Sequence, residues 1–473
     1  MSWDTSACER DHTRACDSST LARAEAAASP ASLTRSIVAC SSSKDAAATN
    51  TPDSSTTPPP GDGGGNPTDG GGTDSSTPPD GGTTLPTATA IHKVTGLAGD
   101  ERVTGIYCAP GSTTCVLAAG GSTGSTKGHV SSFTTTAVAA TALVASDQAL
   151  DDISGLTGDV EFLGFTKVGE KLSARLDKAP HGFVSATGDP TVAASWTKVK
   201  LGTAQPSDMA LNGQYGFGFD GTTWVQMRNS FIYTTPTATL SETTSWTTTW
   251  SPGGVPEIPA DIQAKKTADA TICTAEVAYS VAPRPLQAGY VAANAEIVLY
   301  GSGVVNQTSA PDGAGICIST DQGKTFHIAK LTAVETANIN GPTTLTCISQ
   351  DKCFAAGGQV FTANSAYIYY STNASAGATS VWTKATIPTL STNDNTLIDS
   401  IFFAPDGTHG WAVGTQDGTK ALLFTTTDGG VTWTDASASV AGLGDDVELY
   451  TGFAADATHV VVGGKNGNLF STF

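Results

Sequence analysis

Two octets constrain the fold of this chain more than any other feature: Ser319-Thr-Asp-Gln-Gly-Lys-Thr-Phe326 and Thr426-Thr-Asp-Gly-Gly-Val-Thr-Trp433. Each sets a hydroxyl residue (Ser319, Thr426) two positions before an aspartate (Asp321, Asp428) and follows it with a glycine (Gly323, Gly430). Each then closes on a threonine and an aromatic, Thr325-Phe326 and Thr432-Trp433. An aspartate so placed accepts hydrogen bonds from backbone N–H groups just downstream. The glycine supplies the positive φ that a tight turn demands. An apolar strand-like run precedes each octet, Gly315-Ile-Cys-Ile318 and Ala421-Leu-Leu-Phe424, and the aromatic opens the next strand. The octets therefore read as hairpin turns.

The hairpins recur along the chain. Segments 105–121, 345–358, 401–414 and 452–464 each run from an apolar strand through a small polar turn into a second apolar strand ending in glycine. Segments 209–221 and 290–303 are weaker copies, and 161–176 is the weakest. Taking the terminal glycine as anchor selects Gly120, Gly218, Gly301, Gly357, Gly414 and Gly463, and the last of these fall roughly 50 residues apart. Trp196, Trp246, Phe326, Trp382 and Trp433 begin the outermost strand of successive repeats. The spacing predicts an all-β, seven-bladed β-propeller of four-stranded blades, with six or eight blades as alternatives. The last repeat lacks an outer strand, and Ile91-His-Lys-Val94 is the expected supplier, so that both chain ends share one blade and no sheet edge is left open.

The octets resemble the Asp-box (BNR) signature of sialidase-like propellers, in which this turn joins the outer two strands of a blade. The pairing of His409-Gly-Trp-Ala-Val-Gly414 with the second octet is most similar to non-enzymatic propellers of the photosystem II assembly-factor type. That resemblance implies a rigid disc that binds a partner on one face, and it implies that Asp321 and Asp428 are structural rather than catalytic. The arginine patch of that branch is not evident here, so a photosynthetic role does not carry over.

The domain at 88–473 follows a different material. Residues 41–87 are rich in Gly, Pro, Thr and Asp and nearly devoid of apolar side chains, as in Asp62-Gly-Gly-Gly-Asn-Pro67. Such a segment cannot offset its ordering entropy by burial and reads as a disordered tether. As a flexible coil it would span on the order of 40 Å. Before it, in the leader 1–40, Ile37-Val-Ala-Cys40 resembles a bacterial lipobox, with Cys40 the lipidation candidate. The leader departs from that pattern in lacking a continuous apolar stretch and in carrying Arg35 close to the cleavage point. No run of apolar residues is long enough for a transmembrane helix, so membrane contact is expected only through a lipid anchor.

Cys108 and Cys115 bracket one hairpin turn and Cys347 and Cys353 another, so each pair is placed to staple its hairpin. Elimination leaves Cys273 with Cys317, although sequence does not fix connectivity. Disulfides favour an oxidising compartment, so the expected location is the bacterial cell envelope, as an outer-membrane lipoprotein, or the exterior. The net charge of −19 and the absence of basic patches exclude nucleic acid as a partner.

Catalytic motifs are absent. The sialidase reading requires an arginine triad for a substrate carboxylate. Only Arg102, Arg175, Arg228 and Arg284 follow residue 88, and Arg102, beside Asp100 and Glu101, reads as part of a solvated charge cluster. Two-carboxylate glycosidases need facing acids. Asp151, Asp152, Glu161, Glu276, Glu296, Asp445 and Asp446 are available, with nothing in their spacing to select a pair. Trp224 and Trp250 fit the repeat less well than the other tryptophans and are candidates for exposed binding aromatics. No metal or cofactor is expected. The sequence thus predicts a monomeric, non-enzymatic binding or scaffold propeller for a protein or polysaccharide. A glycoside hydrolase on the same fold is the alternative, with a sialidase behind it.

Overall fold

The computed structural model describes residues 91–473 except 95–96, 98, 100, 122–127, 136–140, 146–161, 169–170, 177–180, 186–188, 201–213, 229–230, 238, 251–287, 302–315, 333–341, 364–365, 390–394, 418 and 440–446. The strands form seven sheets. Their first strands, in blades 1 to 7, are Glu101–Cys108, Phe162–Val168, Gln214–Phe219, Ala288–Val291, Thr344–Cys347, Asn395–Phe403 and Leu449–Ala454. Each of these touches the first strand of the next blade, and the seventh touches the first, so the seven line one central channel. The protein is a seven-bladed β-propeller.

Local sequence explains the strands. Glu101–Cys108 alternates buried and half-buried positions, as expected of a strand with one face toward a neighbouring sheet. A four-stranded sheet cannot cover its own faces, so the blades stack. One apolar cluster joins Val184 and Val199 of blade 2 to Trp224 and Tyr233 of blade 3. Another joins Phe354 and Ile368 of blade 5 to Ile398, Leu422 and Trp433 of blade 6. The outer rims are also tied blade to blade. Lys330–Leu331, the chain leaving blade 4, pairs in parallel with Val381–Lys384 of blade 5. Thr386, leaving blade 5, bonds in the same way to Val431 and Trp433 of blade 6. Trp382 and Trp433 are buried where these ties form, filling the gap that widens outward between twisted sheets.

Blade 7 closes the ring as expected. His92–Val94 pairs antiparallel with Leu469–Ser471, so the two ends of the domain complete one sheet. His459 packs against the ring of Phe473, the last residue, at 5.1 Å.

The repeat reading needs two corrections. Segment 209–221 is not a complete hairpin: Gly218 lies in the first strand of blade 3, and the second strand is Trp224–Arg228. The turn between them, Asp220-Gly-Thr-Thr223, matches Asp406-Gly-Thr-His409 and Asp456-Ala-Thr-His459 in blades 6 and 7. In all three the aspartate accepts the N–H groups two and three residues on. The second correction concerns the anchor glycine of blade 7, which is Gly464 rather than Gly463. A Cβ there would lie 1.7 Å from the Glu448 carbonyl oxygen, just as one at Gly414 would lie 1.9 Å from that of Leu397. In blades 6 and 7 this glycine faces the residue just before a kink in the first strand, whose backbone presses against it.

Candidate functional site

That kink is a β-bulge. In blades 1, 2, 3, 6 and 7 the first strand slips register by one residue against the second, leaving Thr104, Leu163, Tyr215, Asp399 and Tyr450 as the extra residues. Blade 5 does the same at Thr343, whose N–H bonds to the Ala356 carbonyl that Thr344 also faces. Bulges re-aim the side chain they carry. Thr104, Thr343, Asp399 and Tyr450 all line a channel cavity of about 480 Å³.

The lining is rich in hydroxyls. Ser400 and Thr451 join the two bulge threonines, whose hydroxyls donate to backbone carbonyls: Thr104 to Ala118 at 3.3 Å, Thr343 to Ala356 at 3.3 Å and to Ile398. Tyr290 contributes a phenol that donates to the Cys347 carbonyl at 3.3 Å, and burial pushes its pKa up to about 12. Among the described lining residues Asp399 is the single acid. Its Oδ2 is buried and has no hydrogen-bond partner there. Burial, reinforced by the nearby Glu448 charge and opposed by Arg102, pushes the Asp399 carboxyl up to about 8. Asp399 is therefore largely uncharged at neutral pH.

Around Asp399 the charges are already partnered. Lys465 holds Glu448 at 2.7 Å, and the Tyr450 hydroxyl donates to the other Glu448 oxygen. The Arg102 guanidinium lies over the Tyr450 ring, 5.2 Å from its centroid, and donates to its hydroxyl at 3.4 Å. Burial above all keeps the Tyr450 phenol protonated. The reading of Arg102 and Glu101 as a solvated cluster is overturned. Both belong to the first strand of blade 1, where Glu101 is buried, 3.2 Å from His129 Nε2, and Arg102 is half-buried against blade 7. Consecutive strand residues point to opposite faces, and each here finds its own partner, Glu101 on His129 of its own blade and Arg102 on Tyr450 of blade 7.

Trp224 is also corrected. It is only 3 % exposed and stacks on Phe219 at 4.7 Å, because it opens the second strand of blade 3 and faces blade 2. The backbone of Trp250 lies in the fourth strand of blade 3, while its side chain falls outside the described residues. Trp411 is half-buried and stacks on Phe402. Glu296 is exposed, away from the cavity, and Asp151, Asp152, Glu161, Glu276, Asp445 and Asp446 lie outside the described residues. Sequence reasoning passed over Asp399 and Glu448. The available signal was an acid interrupting an apolar inner strand, Leu397-Ile-Asp-Ser-Ile401.

The two octets form equivalent turns. Asp428 accepts the N–H of Val431 and of Thr432 at 3.0 Å each, while Thr426 donates its hydroxyl to Asp428 and accepts the N–H of Gly430. Asp321 accepts the N–H of Lys324 at 3.1 Å and of Thr325 at 2.8 Å, with Ser319 in the role of Thr426. The Thr432 N–H is the leading influence that holds the Asp428 carboxyl below its ordinary range. Gly323 and Gly430 have φ of 77° and 89°. A Cβ on Gly430 would come within 2.4 Å of Phe354 in blade 5. Phe326 and Trp433 are buried. His409 and His459 sit beside Asp406 and Asp456 at 2.6 and 2.7 Å and belong to their turns.

Disulfides join Cys108 to Cys115 and Cys347 to Cys353, each across one hairpin turn. Cys317 is disulfide-bonded too; Cys273 lies outside the described residues, as do Cys40, the leader and the tether. Among the described residues no helix is long and apolar enough to cross a membrane, and no group of three His, Cys, Asp or Glu is placed to hold a metal.

No protein-family model and no curated protein matches the chain. Solved structures do. YCF48 bound to a D1 peptide is 10 % identical with a TM-score of 0.47, over 84 % of this chain and 99 % of that one. YCF48 from Cyanidioschyzon merolae is 13 % identical with the same TM-score, over 81 % of this chain and 98 % of that one. A GH74 xyloglucanase from Xanthomonas campestris is 12 % identical, again at 0.47, over 81 % of this chain and 53 % of that one. Both non-enzymatic propellers and glycoside hydrolases thus stand among the similar structures, at identities that bear on fold alone.

Proposed function

We propose that this chain is a non-enzymatic binding propeller that works outside the cytoplasm. Its turns at 319–326 and 426–433 are read as Asp boxes. Residues 1–40 are read as a leader ending in a lipidated Cys40, 41–87 as the tether, and 88–473 as the domain it presents to a protein or polysaccharide. The hairpin disulfides support the oxidising location.

The observation that carries the non-enzymatic reading is the state of the carboxyls at the channel. Glycoside hydrolysis needs two, one acid and one base or nucleophile. Asp399 is suited to the acid role, and this is the one feature that favours the glycosidase alternative. Glu448, whose charge acts on Asp399, is buried and committed to Lys465 and Tyr450, and so is poorly placed to act on a bound sugar.

The test is to offer the full chain to envelope extracts and to insoluble polysaccharides, with crosslinking and mass spectrometry on one arm and reducing-end release on the other. The expected result is retention that free chain competes away, with no sugar released. Release of reducing ends that Asp399→Asn abolishes would establish the hydrolase instead. The mass of the mature protein purified from membranes tests Cys40: an added diacylglyceryl group is expected, and an unmodified leader removes the anchor.

A further inference from the structure

We propose that the channel cavity between the bulges of blades 1, 5, 6 and 7 binds an uncharged, hydroxyl-rich ligand, a saccharide unit, through the Asp399 carboxyl. The inference rests on the binding-module reading and names the chemistry of its ligand.

The bulge does not need an acid. Threonine occupies the equivalent position in blades 1 and 5, leucine in blade 2 and tyrosine in blades 3 and 7. Of the described bulges only that of blade 6 carries a carboxyl, and it leaves Oδ2 buried without a partner among the described residues. A buried polar atom with its hydrogen bond unmade is costly, so a ligand that makes the bond recovers that loss. The partner must also suit the surrounding hydroxyls. Thr343 spends its proton on the backbone carbonyls of Ala356 and Ile398 and offers only lone pairs to the cavity, so the ligand must donate to it. A neutral Asp399 has a proton to give, so the ligand must accept as well. A sugar hydroxyl does both.

Charge narrows the choice further. The groups around Asp399 are Glu448 and Tyr450 of blade 7, Lys465 on the turn beyond, and Arg102 of blade 1, with Lys167 of blade 2 elsewhere on the cavity wall. Glu448 and Lys465 neutralise each other, Arg102 faces the Tyr450 ring, and Lys167 lies 5.6 Å over the Tyr107 ring. A cation would have to ionise Asp399 in a buried setting that already contains Arg102. An anion would have to approach a molecule of net charge −19. A volume of about 480 Å³ lies within the usual range of small-ligand sites.

Titration calorimetry on the full chain tests this with cellobiose, maltose and N,N′-diacetylchitobiose as neutral probes, and with cadaverine and galacturonate as charged controls. At least one neutral disaccharide is expected to bind. Its affinity should fall about 10-fold from pH 6.5 to pH 9 as Asp399 ionises. Asp399→Asn, which keeps a neutral donor, should bind within about 3-fold of wild type at pH 6.5 and lose the pH dependence. Asp399→Leu should weaken binding at least 10-fold without loss of the folded melting transition. If Asp399→Leu does not fold, Ser400→Ala serves, with a several-fold loss expected. Binding of a charged control alone, no binding of any neutral probe, or wild-type affinity in Asp399→Leu would overturn the proposal. Chromatography of the same mixtures keeps the two readings apart: cleaved sugar would refute the non-enzymatic function, whereas absent binding refutes only this site.

Discussion

The end of the propeller that carries the first-to-second and third-to-fourth strand turns and the end around the channel mouth treat their polar groups differently. At the first, five aspartates each brace their own turn. Asp220, Asp321, Asp406, Asp428 and Asp456 accept N–H groups from residues two to four positions on, and the Cys108–Cys115 and Cys347–Cys353 bridges close hairpins at the same end. These backbone contacts are short in sequence, and only the Gln322 amide of blade 4, which donates to Asp220 of blade 3, reaches across from another blade to one of these five carboxylates among the described residues. At the channel mouth the partners are distant in the chain: Arg102 meets Tyr450, and Asp399 feels both Glu448 and Arg102. One Asp399 oxygen has no partner among the described residues. The turn end secures the fold with local bonds; the mouth keeps a polar group in reserve, as a binding site would.

Substitutions can break or sharpen that contrast. The largest effect is expected where the ends share a mechanical requirement. Gly464→Ala sets a Cβ against the Glu448 carbonyl, and because backbone cannot swing aside, destabilisation of at least about 3 kcal/mol is expected in chemical denaturation. A wild-type midpoint would show that the first strand of blade 7 can relax. Next, replacing Cys347 and Cys353 together by serine should cost about 2–3 kcal/mol through the entropy of the closed loop. It should leave ligand affinity unchanged, and a change in affinity would mean that the turn end communicates with the mouth.

Protonation should separate the ends more finely. The Asp399 pKa is raised on folding, so the folded state holds more protons than the unfolded one between about pH 4 and pH 8. Stability from this group is complete at low pH and is lost as pH rises through about 8. The melting temperature of Asp399→Asn relative to wild type should therefore climb between pH 6 and pH 9, by a few degrees. A constant difference would place the carboxyl in contact with water. Asp428 behaves oppositely: its depressed pKa gives stability that is present above about pH 4 and is lost as acid protonates it. Asp428→Ala is expected to cost about 1 kcal/mol at pH 7, and less at pH 2.5.

The fold was largely legible because its signals are local. The Thr426–Trp433 octet contains every atom its turn uses, and the cysteine pairs sit across a few residues of hairpin. Segment 209–221 was misjudged by one strand because its glycine belongs to the first strand of blade 3 and is there for a different reason: a Cβ at Gly218 would strike the Ala292 carbonyl of blade 4. Trp224 was misjudged with it, since its burial follows from which strand it belongs to. The site was much less legible. Glu296 and Asp399 are both acids near apolar strands, and only the bulge turns the second toward the channel.

By itself the sequence determined the all-β class, the repeat, the turns, the hairpin disulfides and the closure of blade 7 by Ile91–Val94, since each depends on residues close in the chain or on a period that recurs along it. Tertiary structure alone decided which carboxyl is neutral, which is already paired and which faces a cavity. Those properties come from burial and from charges on other blades, and residues as far apart as Arg102, Asp399 and Glu448 become neighbours only when the ring closes.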